Sequence, residues 1–290
     1  MKQLIIDKTI RSFLILLVFT ISCKKAEVQP SKGSLKTINF DFESTLSQWI
    51  ELGGSGERKF EDDISISDEF ASVGAHSCKF TVSPESVVAN GNRAELTFDQ
   101  QAVEGEEAWY EWSFLIPEDY PDVPLKDNNG APNWQVIGQW HQQPVFAEGE
   151  DWNNFTGQGS SPPVAVYYNY FAAGDLDYQA ARSDPATQEI FGYNPDWEEV
   201  ATITISYGLK SIAVSEINKG EWVQLKINIR WSENEDGYIQ VWQDGKEITN
   251  GKTYGANMLN KASHYFKFGL YRNPSIAFSQ TLYYDEVKIW

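Results

Sequence analysis

The sequence predicts an all-β fold, an antiparallel two-sheet β-sandwich. Three observations predict it: short runs in which aromatic and β-branched residues alternate with polar ones, turn formers (Gly, Asn, Asp, Pro) bounding those runs, and the lack of any long stretch with helical period. About a dozen strands with no crossover helices suit two packed sheets in a jelly-roll arrangement.

The runs fall at 36–42, 78–82, 93–98, 109–116, 133–141, 164–171 and 201–206, then at 222–231, 238–243, 265–271 and 281–290. Spacing by two places each apolar set on one face of a pleated strand. Asp244-Gly245, between YIQVWQ and KEI, is a two-residue hairpin turn, and Asp236-Gly237 marks another turn just before it. Segments 118–132, 146–162 and 172–199 exceed what a sandwich needs and are expected as loops, the usual walls of a cleft. Aromatic residues make up 14% of the chain, and many of them must fill the space between the sheets.

The N-terminus has its own logic. Lys2, Lys8 and Arg11 precede an apolar run at 13–21 that is too short to span a membrane, the layout of an export signal over residues 1–22. Cys23 directly follows the small residue Ser22 and is expected to become the acylated N-terminus of a lipoprotein; ordinary signal-peptidase cleavage near the same place is the alternative. Residues 23–36 then form a tether and 37–290 one domain, expected as a monomer at the outer membrane or cell surface, or alternatively periplasmic or secreted. A lipidated Cys23 leaves Cys78 without an intrachain partner, so stability must come from a core. The chain carries 23 basic and 41 acidic residues, a net charge of −18; removing residues 1–22, with three basic and one acidic side chain, leaves −20. Such a surface repels nucleic acid and anionic lipid, so membrane contact is expected only through the lipid anchor.

Three runs present an unusual polar face. In NRAEL, Ala94 and Leu96 oppose Arg93 and Glu95; in NWQVIGQWH, Trp134, Val136 and Trp140 oppose Gln135, Gln139 and His141. In HYFKFGLYRN, Phe266, Phe268 and Leu270 oppose Tyr265, Lys267, Tyr271 and Asn273. An ordinary solvated sheet face carries Thr, Lys, Glu and Ser in mixture. Arg, Gln, His, Tyr and Lys are the types that bind and work on an anionic sugar.

In order, Arg93-Ala94-Glu95, Gln139-Trp140-His141 and the run from Tyr265 to Tyr271 (YFKFGLY) resemble the three signature stretches of alginate lyases of polysaccharide lyase family 7. WYEWSFLIPEDY at 109–120, GEWVQLKINIRWSENEDGYIQVWQDGKEI at 220–248, and Arg272 after the last tyrosine look more like the group that holds heparin lyase I and the glucuronan lyases. The resemblance covers roughly residues 37–290. It implies a concanavalin A-like β-jelly-roll with a groove across its concave sheet. It also implies an endo-acting lyase that cuts a uronic-acid polysaccharide such as glucuronan or alginate by β-elimination.

In that reaction the proton at C5, beside the carboxylate, is removed and the O4 bond breaks. The carboxylate charge must first be offset, for which Arg93 offers a charge-assisted donor, Gln139 an amide donor and Asn169, in VYYNYF, a third group. Tyr271 is by resemblance the essential acid or base, while His141 shares the proton transfers or holds the carboxylate. Lys267, about 13 Å along the strand from Tyr271, is expected to grip an acidic sugar farther along the polymer. Glu95 orients Arg93. Gly269 either lets the sugar approach the sheet or marks a bulge. His76 and His264 are read as surface or structural residues, and Lys226 and Arg230 as a solvated face.

The alternative reading is a noncatalytic carbohydrate-binding sandwich. A retaining glycosidase would need two carboxylates about 5 Å apart, and the chain has no Glu-x-Asp-x-x-Glu run to supply them. It also lacks a His-Glu-x-x-His metal motif, a Gly-x-Ser-x-Gly elbow and a phosphate loop. No cofactor is expected; acid-rich turns such as 233–237 could bind Ca²⁺ and are read as solvated.

Overall fold

A computed structural model describes residues 37–290, apart from 90, 127–128 and 173–174. The expected export signal, tether and Cys23 therefore lie outside the described residues. The first strands are β1 (Ile38–Phe40), β2 (Gly54–Glu57), β3 (Ile64–Ser67), β4 (Ser77–Val82), β5 (Val87–Val88) and β6 (Gly91–Ala102). Next come β7 (Glu107–Leu115), β8 (Gln135–His141), β9 (Val164–Ala172), β10 (Glu199–Tyr207), β11 (Lys210–Ile217) and β12 (Trp222–Arg230). The chain ends with β13 (Tyr238–Gln243), β14 (Lys246–Glu247), β15 (Thr253–Tyr254), β16 (His264–Arg272) and β17 (Gln280–Ile289).

These strands build two antiparallel sheets, as expected. One runs β14-β13-β12-β7-β17-β4-β3, with β1 on β17 and β15 on β13; the other runs β11-β10-β9-β8-β16-β6-β2, with β5 on β6. The core between them is largely aromatic: the Trp140 ring stacks on Phe266 at 4.9 Å and meets Tyr110 at 4.7 Å, and Trp49 packs edge-on to Phe268 at 5.3 Å. Each such side chain, removed from water, contributes roughly 1.5–3 kcal/mol. Asp244 and Gly245 both have positive φ (51° and 75°), which is the turn expected between β13 and β14. The Cys78 thiol is buried and unpaired.

Segment 172–199 is not plain loop. It holds helices α1 (Leu176–Ser183) and α2 (Pro185–Gln188), the second capped by the Asp184 carboxylate, which accepts from the Ala186 and Thr187 amides. Two turns of helix are too short to give a readable period.

A second difference bears on function. β8 carries a bulge between Val136 and Gly138 relative to β9, and β16 one between Phe268 and Tyr271 relative to β8. A bulge shifts alternation by one residue. Gln135 therefore points inward, accepting from the Tyr120 hydroxyl at 2.8 Å and from Gln280 Nε2 at 2.8 Å, while Trp134 and Val136 line the groove. The sequence pattern had them the other way round. Tyr284, from the opposite sheet, donates its hydroxyl to the carbonyls of Ile137 and Gly269, the two bulged residues.

Gly269 settles its own question. Its φ is +131°, and a Cβ there would lie 2.3 Å from the Ala94 carbonyl oxygen and 2.8 Å from the Phe80 ring. The glycine serves the bulge and the close approach of β6, not a sugar.

Candidate active site

β16 lies between β8 and β6. On one side Tyr265 pairs with His141, Lys267 with Gln139 and Tyr271 with Val136; on the other Lys267 pairs with Thr97, Gly269 with Glu95 and Tyr271 with Arg93. Beyond β6, Glu57 of β2 pairs with Glu95. Side chains from these strands floor a groove of about 1100 Å³. Arg93, Gln139, His141, Lys267 and Tyr271, all expected from sequence, line it; loop 146–162 supplies a wall with Trp152 and Phe155.

The floor is an ionic cluster. Arg93 donates from one terminal nitrogen to Glu57 at 2.8 Å and to Glu95 at 3.4 Å, and Lys267 Nζ donates to Glu57 at 2.6 Å and stands 3.8 Å from Glu95. Gln139 Nε2 donates to the other Glu95 oxygen. Burial pushes the Glu57 carboxyl up, but Lys267 and Arg93 outweigh it and hold the group below the usual carboxylate range. At Glu95 burial wins, and its pKa is raised despite Lys267 and Arg93. Burial alone would lower Arg93; Glu95 and Glu57 raise it instead, so the guanidinium stays charged.

Two expectations change in this light. Gln139 commits one amide N–H to Glu95, and its Oε1 is buried without a partner. Arg93 keeps a buried, unpartnered Nε–H. Lys267 is only 2% exposed and clamped by Glu57, so it is part of the floor, not an extended ionic anchor. Asn169 lies outside the groove: it donates to Thr204 Oγ1 at 2.9 Å and lines an adjacent depression that shares Tyr167 with the groove. Glu95 does contact Arg93, as expected, and Arg272 is buried on the core side, donating to Gln280 Oε1 at 2.7 Å.

His141 and Tyr271 share the groove but occupy different levels of it. On β16 Tyr271 lies six residues on from the position opposite His141, with the β16 bulge between them. The imidazole packs beside Tyr265, ring centroids 5.5 Å apart. The Tyr271 ring packs on Trp134 at 4.5 Å, with the Arg93 guanidinium 3.8 Å from its centroid. Gly91 makes room for it, since a Cβ there would fall 2.2 Å from the ring. Arg93 and Gln139 occupy the intervening floor.

The Nδ1–H of His141 donates to the Gln142 carbonyl at 2.8 Å, which leaves the Nε2 lone pair available. Burial, then the charges of Lys267 and Arg93, push its pKa down to about 4. With the folded pKa depressed, the imidazole is neutral above that value and protonates only as pH falls through it. The acid limb of kcat/KM, which reports the free enzyme, should accordingly lie near pH 4. A limb near the unperturbed value of about 6.5 would mean that the imidazole is not desolvated as described.

Sequence pattern missed Glu57, Trp134 and Tyr167. Tyr167 alternates with Asn169 on the same strand face and was within reach of a periodicity argument; Glu57 sits in GSGE, which offers no pattern. The remaining histidines are as expected, His76 half-buried beside Glu43 and His264 buried and bonded to the Ala262 carbonyl. Lys226 stands over the Trp109 ring at 4.8 Å, and Arg230 pairs with Asp236 at 3.2 Å. Asp236, in the acidic turn at 233–237, also accepts from Ser232. Among the described residues no group of three or more His, Cys, Asp or Glu side chains is gathered as for a metal ion.

Comparison with known proteins adds the following. A family model described as "Polysaccharide lyase" matches residues 43–288. No curated protein sequence matches the chain. Among solved structures, an endo-β-1,4-glucuronan lyase from the fungus Trichoderma reesei is similar with a TM-score of 0.50 and 16% identity, covering 80% of this chain and 89% of its own. The alginate lyase Aly36B gives 0.51 and 11%, covering 87% and 96%. The catalytic domain of a glycoside hydrolase family 131 protein from Coprinopsis cinerea gives 0.53 and 10%, covering 87% and 92%. At such identities the likeness is one of fold, shared by eliminating and hydrolysing enzymes, so the side chains must carry any argument about chemistry.

Proposed function

Because the chain belongs to the polysaccharide lyase family, with residues 43–288 matched, we propose that it cuts a uronic-acid-containing polysaccharide within the chain by β-elimination, releasing unsaturated oligosaccharides. Glucuronan, alginate or a similar polymer is the substrate. One observation carries the reading: the charged Arg93 and the amide of Gln139 line one groove together with an imidazole, His141, and a phenol, Tyr271.

The Arg93 guanidinium and the Gln139 amide, both lining the groove, receive the uronate carboxylate. Offsetting the carboxylate charge makes the C5 proton acidic enough to remove. A base takes that proton, its electron pair becomes the C4–C5 double bond, and an acid protonates the departing O4. Tyr271, with the Arg93 cation against its ring, is assigned to proton transfer. His141, neutral with an open Nε2, is the second group. The contact between Tyr265 and His141 favours a second reading, in which Tyr265 is the phenol of the pair.

A panel of glucuronan, alginate and an uncharged glucan, followed by the ultraviolet absorbance of the new double bond, tests the proposal. Absorbance should rise with at least one uronate polymer and stay flat with the glucan. Binding of a uronate polymer with no absorbance from any would instead identify a lectin-like sandwich.

A further inference from the structure

The groove does not end at His141. Past Tyr265 the wall continues into Phe146 and Trp152, which are 57% and 53% exposed although large and apolar. They contact each other at 6.1 Å, and Trp152 meets Phe155 at 5.9 Å and Tyr265 at 6.2 Å. This aromatic patch is continuous with the groove lining.

Charge runs out along the same direction. The charged side chains that line the groove are Glu57, Arg93 and Lys267, and Glu57 holds both of the basic ones. Beside Phe146, the Glu148 carboxylate is paired with Lys261. His141 is kept neutral by burial. A polymer carrying a carboxylate on every sugar would bring charges to this end that meet only a lysine already paired with Glu148, and desolvating an unpaired carboxylate is costly. An uncharged pyranose presents an apolar C–H face that suits exposed aromatic rings.

We infer that Trp152, Phe146 and Tyr265 form a subsite for an uncharged sugar, and that the substrate is a mixed polymer in which the uronate held at Arg93 and Gln139 has an uncharged neighbour on the Trp152 side. The inference rests on the lyase reading and, among uronate polymers, moves the favoured substrate from those charged on every sugar, such as glucuronan, to mixed ones.

Calorimetric titration of the full chain carrying Tyr271→Phe tests it without turnover. The two probes are tetrasaccharides from glucuronan, charged on every sugar, and from deacylated gellan, where uncharged sugars flank the glucuronate. The gellan fragment should bind about tenfold more tightly, and adding Trp152→Ala should remove that advantage by weakening the gellan fragment more than the glucuronan fragment. Equal or tighter binding of the glucuronan fragment, or an unchanged preference after Trp152→Ala, would overturn the subsite. Absence of unsaturated products from every polymer with the unsubstituted protein would overturn the lyase reading instead, and this titration does not depend on it.

Discussion

Replacing Tyr271 with Phe is expected to lower kcat on a uronate polymer by about 10²–10⁴, the range for loss of a positioned acid or base. The ring sits in a slot made by Trp134, the Arg93 guanidinium and the space above Gly91, and its packing needs no hydroxyl. Removing one oxygen should therefore leave the melting temperature and polymer binding nearly unchanged, so that the loss falls on kcat and not on KM. Tyr265→Phe is the necessary companion, since Tyr265 and not Tyr271 is packed beside His141. Collapse of kcat in the Tyr271 variant with a mild effect at Tyr265 assigns the proton transfer to Tyr271. The reverse outcome transfers the role to Tyr265, and full activity in both refutes a phenol as acid or base.

The largest expected effect on stability is at Gly269. Alanine there would hold a positive φ and drive its Cβ against the Ala94 carbonyl and the Phe80 ring, both fixed in the packed sheet. Backbone strain of about 1–3 kcal/mol and overpacking of about 1–3 kcal/mol add in the same direction. A loss of roughly 3–5 kcal/mol is a large part of a typical domain's 5–15 kcal/mol. Denaturant midpoints read it directly. Gly105→Ala is the control: its φ is +80°, but nothing lies within 4 Å of the added carbon, so only the strain remains. Equal losses at the two positions would show that the bulge does not need the glycine.

Much of this was legible in the sequence because one physical rule governs it. Alternation with period two gave the strands and turned Arg93, Glu95, Lys267 and Tyr271 toward the groove, since β6 and β16 stay in register from Phe266 to Arg272. Alternation fails where the register slips. Trp134, Val136 and Gln135 were placed on the wrong faces because the bulge in β8 lies between them and Gln139, and Gly138 was its only sign. Contacts between distant parts of the chain were beyond reach altogether. Glu57 lies 36 residues from Arg93 and 210 from Lys267, yet it determines how much positive charge the groove offers. It is also why Lys267 could not be recognised as paired. The distance between His141 and Tyr271 was likewise invisible, because motif order says nothing about strand register.

Elimination is the central claim, and a fold shared with a glycoside hydrolase makes hydrolysis its real rival. Digestion of a uronate polymer in heavy-oxygen water, followed by mass spectrometry of the fragments, separates the two. β-Elimination adds no water across the broken bond, so the account predicts fragments ending in an unsaturated uronate, one water lighter than hydrolytic products, with no heavy oxygen incorporated. Saturated fragments that carry one heavy oxygen per cut would contradict it.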